Sequence, residues 1–296
     1  MKNTLQPDLY PRHLDALLRA SLSDTPAVLV NGPRQCGKTT LVRQYEGEMA
    51  YFSLDDPALL AAVRADPLGF VRRLDRAIID EVQRAPELLL ALKLAIDKDR
   101  RPGRFLLTGS ANLMALPQIA DSLAGRIDIH TLLPLSHAEL ARRPQAFLAR
   151  ALAQNWPTGA SKARPLPDMT HEVLAGGYPE MRQRSTGARR QAWARAYITT
   201  LIERDIRDIA QIDQVRQVPQ LLSIVAQLSG QLLNLSQIGG QIGLNGKTVD
   251  KYLGILEKRF LVRRLPASRR SPLAMDSGLC RSISFDWFAT CNLVVI

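Results

Sequence analysis

The segment "AVLVNGPRQCGKTTLVRQY", Ala27 to Tyr45, gathers the residues best suited to chemistry in this chain. Gly32, Gly37, Lys38 and Thr39 stand in the spacing Gly-x4-Gly-Lys-Thr, after an apolar run and before a stretch of helical periodicity. Glycines let a backbone curl until its N–H groups and the start of the next helix face an anion. The loop Gly32, Pro33, Arg34, Gln35, Cys36, Gly37, Lys38, Thr39 and Thr40 is therefore predicted to cradle the phosphates of a nucleotide. Lys38 would neutralise β and γ oxygens, and the Thr39 hydroxyl would reach Mg²⁺.

Such a loop needs an acidic group for the cation. "AIIDE" supplies Asp80 at the end of an apolar run, so Thr39 and Asp80 are the candidate Mg²⁺ ligands. Glu81 follows directly, and a carboxylate beside the cation can take a proton from an attacking water. The next run ends "LLTGSAN" and offers Thr108 and Ser110, with Asn112 beyond, to hold that water or to sense the γ-phosphate. Arg126, after the glycine of "SLAGRI", is a candidate arginine finger for phosphates of the same or a neighbouring subunit.

Five short apolar runs must position these groups, at 27–32, 50–55, 76–81, 104–110 and 126–135. Between them lie stretches with helical periodicity, among them "PALLAAVRADPLGFVRRL" and "APELLLALKLAID". Strand alternating with helix predicts an α/β fold built on a parallel sheet covered on both faces. After Leu135 the chain reads as mostly helical, broken by the Pro, Gly, Ser and Lys mixture of 154–168, an expected loop or linker. Residues 189–212 are predicted to form one long amphipathic helix with Trp193, Tyr197, Leu201, Ile202, Ile206 and Ile209 on one side.

The net charge of +11 leaves room for a polyanionic partner, although the basic residues are scattered over the whole length. No run of about eighteen apolar residues is present to span a bilayer, so no membrane partner is expected. "MKNTLQPDLYPRHLD" lacks the apolar core of a secretory signal, which predicts a cytoplasmic protein. The three cysteines, Cys36, Cys280 and Cys291, have no metal-site or disulfide spacing.

The order of these segments resembles the bacterial and archaeal AAA-type ATPases that pair an N-terminal P-loop domain with a C-terminal domain of unknown function. The resemblance rests on "LYPRHLDALL", "VLVNGPRQCGKTTL", "YFSLDDP", "AIIDEVQRAPELL", "RFLLTGSANL", "SLAGRI", "GGYPE" and "YITTLIERDI", in family order from about Tyr10 to Asp208. It implies an ASCE-type five-stranded parallel sheet with the Thr108 strand between the loop strand and the Asp80 strand. It also implies catalytic parts for Lys38, Asp80, Glu81, Thr108, Ser110 and Arg126, and a place for Arg12 near the base or ribose.

The later segment "LNLSQIGGQIGLNGKTVDKYLGILEKRFLVRRLP" also resembles that group and reads as a winged helix. In that motif the second helix enters the major groove, which nominates Asn245, Lys247, Thr248, Lys251 and Tyr252 for DNA contact. The implied layout is a P-loop ATPase domain at 1–140, a helical lid or linker at 141–212, a winged-helix domain at 213–268 and a truncated or divergent tail at 269–296. The tail follows "MDSGL", where the family continues into a nuclease-like domain, and shows no nuclease constellation. The function expected is Mg²⁺-dependent ATP hydrolysis driving a conformational switch on DNA, a protein partner or a second copy. The alternative is a nucleotide-gated DNA-binding or protein-interaction module that hydrolyses little. A P-loop metabolite kinase fits less well, given Glu81 beside Asp80 and the helical second half.

Overall fold

The computed structural model describes residues 9–110, 123, 125–145, 147–153, 165–206, 217–231, 233–266 and 281–284. Asn112, most of the predicted loop at 154–168, residues 207–212 of the predicted long helix, the "MDSGL" segment, Cys280 and Cys291 lie outside them. The chain divides into two compact units, Met1–Ala163 and Arg164–Ile296.

In the first unit, α1 (Leu14–Asp24) leads into β1 (Ala27–Asn31), the glycine loop and α2 (Lys38–Val42). There follow β2 (Ala50–Ser53), α3 (Pro57–Ala65), α4 (Pro67–Arg72), β3 (Ala77–Asp80), α5 (Leu88–Lys98), β4 (Phe105–Gly109), β5 (Ile127–Thr131), α6 (His137–Leu140) and α7 (Phe147–Leu152). All five apolar runs are strands of one sheet in the order β2-β3-β4-β1-β5, with every pairing parallel. The strand carrying Thr108 lies between the loop strand and the Asp80 strand, as the resemblance implies.

Strands β1, β3 and β4 are buried along their whole length, so their sequences are continuous apolar runs rather than alternating ones. Alternate residues still go to opposite faces. Ala27, Leu29, Ile79 and Leu107 pack with Leu88, Leu92 and Ile96 of α5. Val28, Val30, Ile78 and Leu106 pack with Leu18 of α1 and Leu41 of α2. Helices α3 and α4 each begin with Pro after an Asp whose carboxylate accepts backbone N–H groups, Asp56 from Ala58 and Asp66 from Gly69.

The second unit holds α8 (Leu166–Ala175), α9 (Pro179–Arg182), α10 (Gly187–Thr200), α11 (Val218–Gln227), α12 (Leu235–Ile242) and α13 (Gly246–Lys258). Strands β6 (Arg263–Pro266) and β7 (Arg281–Ser284) pair antiparallel. The predicted long helix runs regularly only to Thr200 and then widens into a π-helical turn, Leu201–Ile206. Its apolar side is buried as the periodicity requires: Tyr197, Leu201 and Ile202 enter the core and the Trp193 ring stacks on Tyr197 at 5.0 Å. One apolar cluster draws on both sides of residue 212, from Tyr178 to Val262. Among the described residues no helix is long and apolar enough to cross a membrane.

Candidate nucleotide-binding site

The carboxyl ends of parallel strands, where the strand order reverses, form the crevice in which α/β sheets bind ligands. Here β1 ends at Asn31 and runs into the glycine loop, β3 ends at Asp80 and β4 at Gly109, so the topology delivers the candidate groups to that edge. The loop turns through three positive-φ positions, Gln35 at φ 60° and two glycines. Gly32 has φ +149°, and a Cβ there would collide with the Leu132 carbonyl; Gly37 has φ +100° at the start of α2. Both are conformations that L side chains rarely adopt.

Lys38 is 4% exposed, and its Nζ donates to the carbonyl oxygens of Gly32 (3.1 Å) and Pro33 (2.8 Å). A buried ammonium held by neutral dipoles gains strongly from an anion. The donor set therefore fits a polyphosphate. In the same loop Gln35 and Thr40 are exposed, Arg34 is half-buried and Cys36 is buried, its thiol donating to the Leu132 carbonyl at 3.2 Å. Burial pushes the Cys36 thiol above its ordinary pKa, which makes it a filler of the loop's floor rather than a nucleophile.

The Thr39 hydroxyl donates to Asp80 Oδ2 at 2.8 Å. A hydroxyl that gives its one proton to a carboxylate keeps its lone pairs for a cation, so this pair fits Mg²⁺. Asp80 is 2% exposed and accepts two further hydroxyls, Tyr51 on Oδ2 at 2.8 Å and Thr108 on Oδ1. The Thr108 oxygen in turn accepts the Glu81 N–H at 2.9 Å. That bond spans neighbouring strands and holds Glu81 in the left-handed region, φ 61°, unusual for a residue with a side chain.

Two residues outside the predicted set belong to this network. Tyr51, on β2, was visible only as an aromatic in "AYFSLD", and the Arg43 guanidinium lies 4.5 Å over its ring. Gln83 stands in the one-turn 3₁₀ segment after Glu81, donates to Glu81 Oε2 and to Ser110 Oγ (2.8 Å), and accepts the Ser110 N–H at 3.2 Å. The sequence signal for Gln83 was its spacing of two from Glu81 in "DEVQ".

Arg12 is also at the loop. Its Nη1 donates to the Cys36 carbonyl at 2.8 Å, its Nη2 to the Leu133 carbonyl and its Nε to Glu139 at 3.0 Å. The side chain is 7% exposed, so the guanidinium braces the loop from the protein side.

Residues 24–141 match the family model described as an AAA domain, and residues 167–278 match one described as a domain of unknown function (DUF8612). The uncharacterized proteins Rv2008c of Mycobacterium tuberculosis and Mb2031c of Mycobacterium bovis are each 30% identical over 280 residues, covering 90% of this chain and 58% of their own length. The chain thus spans little more than half the length of these curated relatives. The Walker-type ATPase PABY2304 of Pyrococcus abyssi is similar in fold, with a TM-score of 0.58 at 17% identity over 98% of this chain and 97% of that one. This chain resembles the bacterial and archaeal AAA-type P-loop ATPases.

Within the matched residues 24–141 one predicted residue stands apart from the rest. Arg126 precedes Ile127, which pairs with Ala27 at the start of β1, whereas the loop leaves β1 from Asn31. Five residue steps at about 3.3 Å each put it on the order of 16 Å away along the strands, at the amino edge of the sheet. There its guanidinium is bound by Asp97 near the end of α5, at 2.6 and 3.1 Å. Proximity to a glycine in sequence said nothing about which edge of the sheet Arg126 would occupy, and it does not join the phosphate loop of its own chain.

In the second unit, Gly243 (φ 67°) ends α12 and Asn245 caps α13, accepting the Thr248 N–H at 2.8 Å. Lys247 and Lys251 are exposed and Thr248 is half-buried. Tyr252, nominated for DNA contact, is 5% exposed in the core with Val249, Leu253 and Leu256, so its ring is a packing element.

Proposed function

We propose that the protein binds Mg²⁺ and ATP at the carboxyl edge of the sheet and hydrolyses the nucleotide, using the cycle to switch its contacts with a partner. The observation that carries this reading is the continuous hydroxyl–carboxylate network Thr39–Asp80–Thr108–Glu81 beside a buried Lys38. Lys38 and the loop N–H groups hold phosphate oxygens. Thr39 and Asp80 hold the cation, which when bound supplies charge neutralisation and orientation of the phosphates. Glu81 takes a proton from the water that attacks the γ-phosphorus as the bridging P–O bond breaks and ADP leaves with its electrons. Thr108 fixes the geometry of Asp80 and Glu81, and Ser110 senses the γ-phosphate. Arg12 supports the loop; a base-contacting part for it is not needed, because its three nitrogens serve protein partners.

The test is steady-state hydrolysis of Mg²⁺-ATP by the purified chain. Glu81→Gln is expected to bind ATP with near wild-type affinity and to turn over at least about 100-fold more slowly, in the range of a lost general base. Lys38→Ala should lose binding itself. Wild-type turnover in both variants would overturn the reading.

We read residues 213–268 as a winged helix and DNA as the first partner to examine. Supporting this are the helix-turn-helix of α12 and α13, the antiparallel pair that follows, and two lysines exposed on the second helix. Asn245, Lys247, Thr248 and Lys251 are the residues that remain available for such a contact.

A further inference from the structure

We propose that Gln83 is a positioning residue that couples the carboxylate of Glu81 to Ser110, so that the reach of Glu81 to its water depends on the end of β4. The inference rests on the hydrolytic reading of this site and adds to it a residue that neither the phosphate loop nor the metal-holding pair calls for.

The amide of Gln83 has no freedom in how it is oriented. The Ser110 N–H can only donate, so the group facing it at 3.2 Å must be the amide oxygen. The NH₂ is then committed to Glu81 Oε2 and to Ser110 Oγ at 2.8 Å. A carboxylate held by such a donor loses much of the rotamer freedom that would let it swing from the reacting edge. The base of the arrangement is rigid as well. Val82, between the two side chains, is fully buried, and the Glu81 backbone is pinned by the Thr108 hydroxyl at 2.9 Å.

Glu81 and Ser110 directly follow the ends of neighbouring strands, β3 and β4, and the amide of Gln83 joins their side chains across that gap. A Ser hydroxyl that accepts from Gln83 keeps its own O–H for a second acceptor. A phosphate oxygen taking that proton would draw on the same hydroxyl that holds the Gln83 amide, and the adjustment passes to Glu81 through one side chain.

The experiment uses the full chain and compares wild type, Gln83→Met, Ser110→Ala and the double variant in Mg²⁺-ATP hydrolysis, with ATP affinity and melting temperature measured alongside. Methionine keeps the length and volume of glutamine and removes only the amide. Gln83→Met is expected to lower kcat about 10- to 100-fold, as loss of a group that orients a reacting residue does. KM, ATP affinity and melting temperature should stay close to wild type. The double variant should turn over no more than about twofold slower than the slower single one, because both remove one shared link. Should methionine compromise folding, Gln83→Asn keeps an amide too short to span both partners and is expected to show the same loss of kcat. Unchanged or faster turnover in Gln83→Met, or fully multiplied losses in the double variant, would overturn the inference. Absence of turnover in wild type would overturn the hydrolytic reading and this inference together. Wild-type turnover that is abolished by Glu81→Gln yet untouched in Gln83→Met would overturn the inference alone.

Discussion

Arg12 and Glu139 form a buried ion pair, 7% and 6% exposed, whose carboxylate also accepts the N–H groups of His13 and Ser136 at 2.9 and 2.8 Å. Burial works to raise the Glu139 pKa; the Arg12 charge and those two N–H donors outweigh it and hold the carboxyl below its ordinary value. A carboxylate depressed in the folded state contributes stability in full above the unfolded value, about 4.3 for Glu, and loses it as pH falls through the folded value. Glu139→Gln is therefore expected to flatten the acid side of the stability profile, read as urea midpoints between about pH 3 and 7. Removing the carboxylate leaves a buried guanidinium short of a partner, a cost of about 3 kcal/mol at neutral pH. Of the candidate site residues, Lys38 and Thr39 were legible from the glycine spacing that puts them at the start of α2, and Asp80 and Glu81 from the apolar run that ends in them at β3. Tyr51 was not, because Asp80 lies 29 residues away along the chain, and of Gln83 only the spacing to Glu81 was visible, since Ser110 lies 27 residues away and is brought in by which strands are neighbours.

Strand order decides what each element can contribute. The insertion of β4 between β1 and β3 brings Thr108 onto Asp80, a contact no local pattern encodes. Because Arg126 precedes β5 in an all-parallel sheet, it lies at the amino ends of the strands, where it meets Asp97 on α5 and holds that carboxyl below the usual range. Arg126→Ala is expected to leave ATP affinity of the isolated chain within about twofold and to leave stability close to wild type, because a solvent-screened ion pair contributes little. Equilibrium nucleotide titration and thermal unfolding check both. Strand and helix existence were legible from periodicity, and so was the burial of Tyr252. Val249, Tyr252, Leu253 and Leu256 repeat at the i, i+3, i+4, i+7 spacing of one helix face, and that periodicity outranks the polar end of a tyrosine. The π-helical turn after Thr200 left no such mark, since its sequence keeps the apolar spacing of the helix before it.

At the scale of the molecule the charge of +11 is spread along the chain, so the exposed lysines of α13 carry only part of it. Should double-stranded DNA bind, each phosphate neutralised contributes about −0.9 to the slope of log K against log salt. Lys247→Ala and Lys251→Ala are each expected to reduce that slope by about 1 and to weaken binding evenly across sequences, as filter binding at several salt concentrations would read.

The Arg12–Glu139 pair limits where the first unit can be cut. It ties a residue before α1 to one on α6, so the chain from 12 to 139 is closed like a belt around the sheet, with the glycine loop against its buckle. Helix α1 lies inside that belt and supplies Leu18 and Leu22 to the sheet's second face. A piece trimmed to the matched stretch 24–141 keeps the whole glycine loop yet leaves Glu139 without its cation and strips one face of its cover. The unit that folds is thus wider than the unit that is recognised, and isolating the first unit means keeping the residues ahead of Leu14.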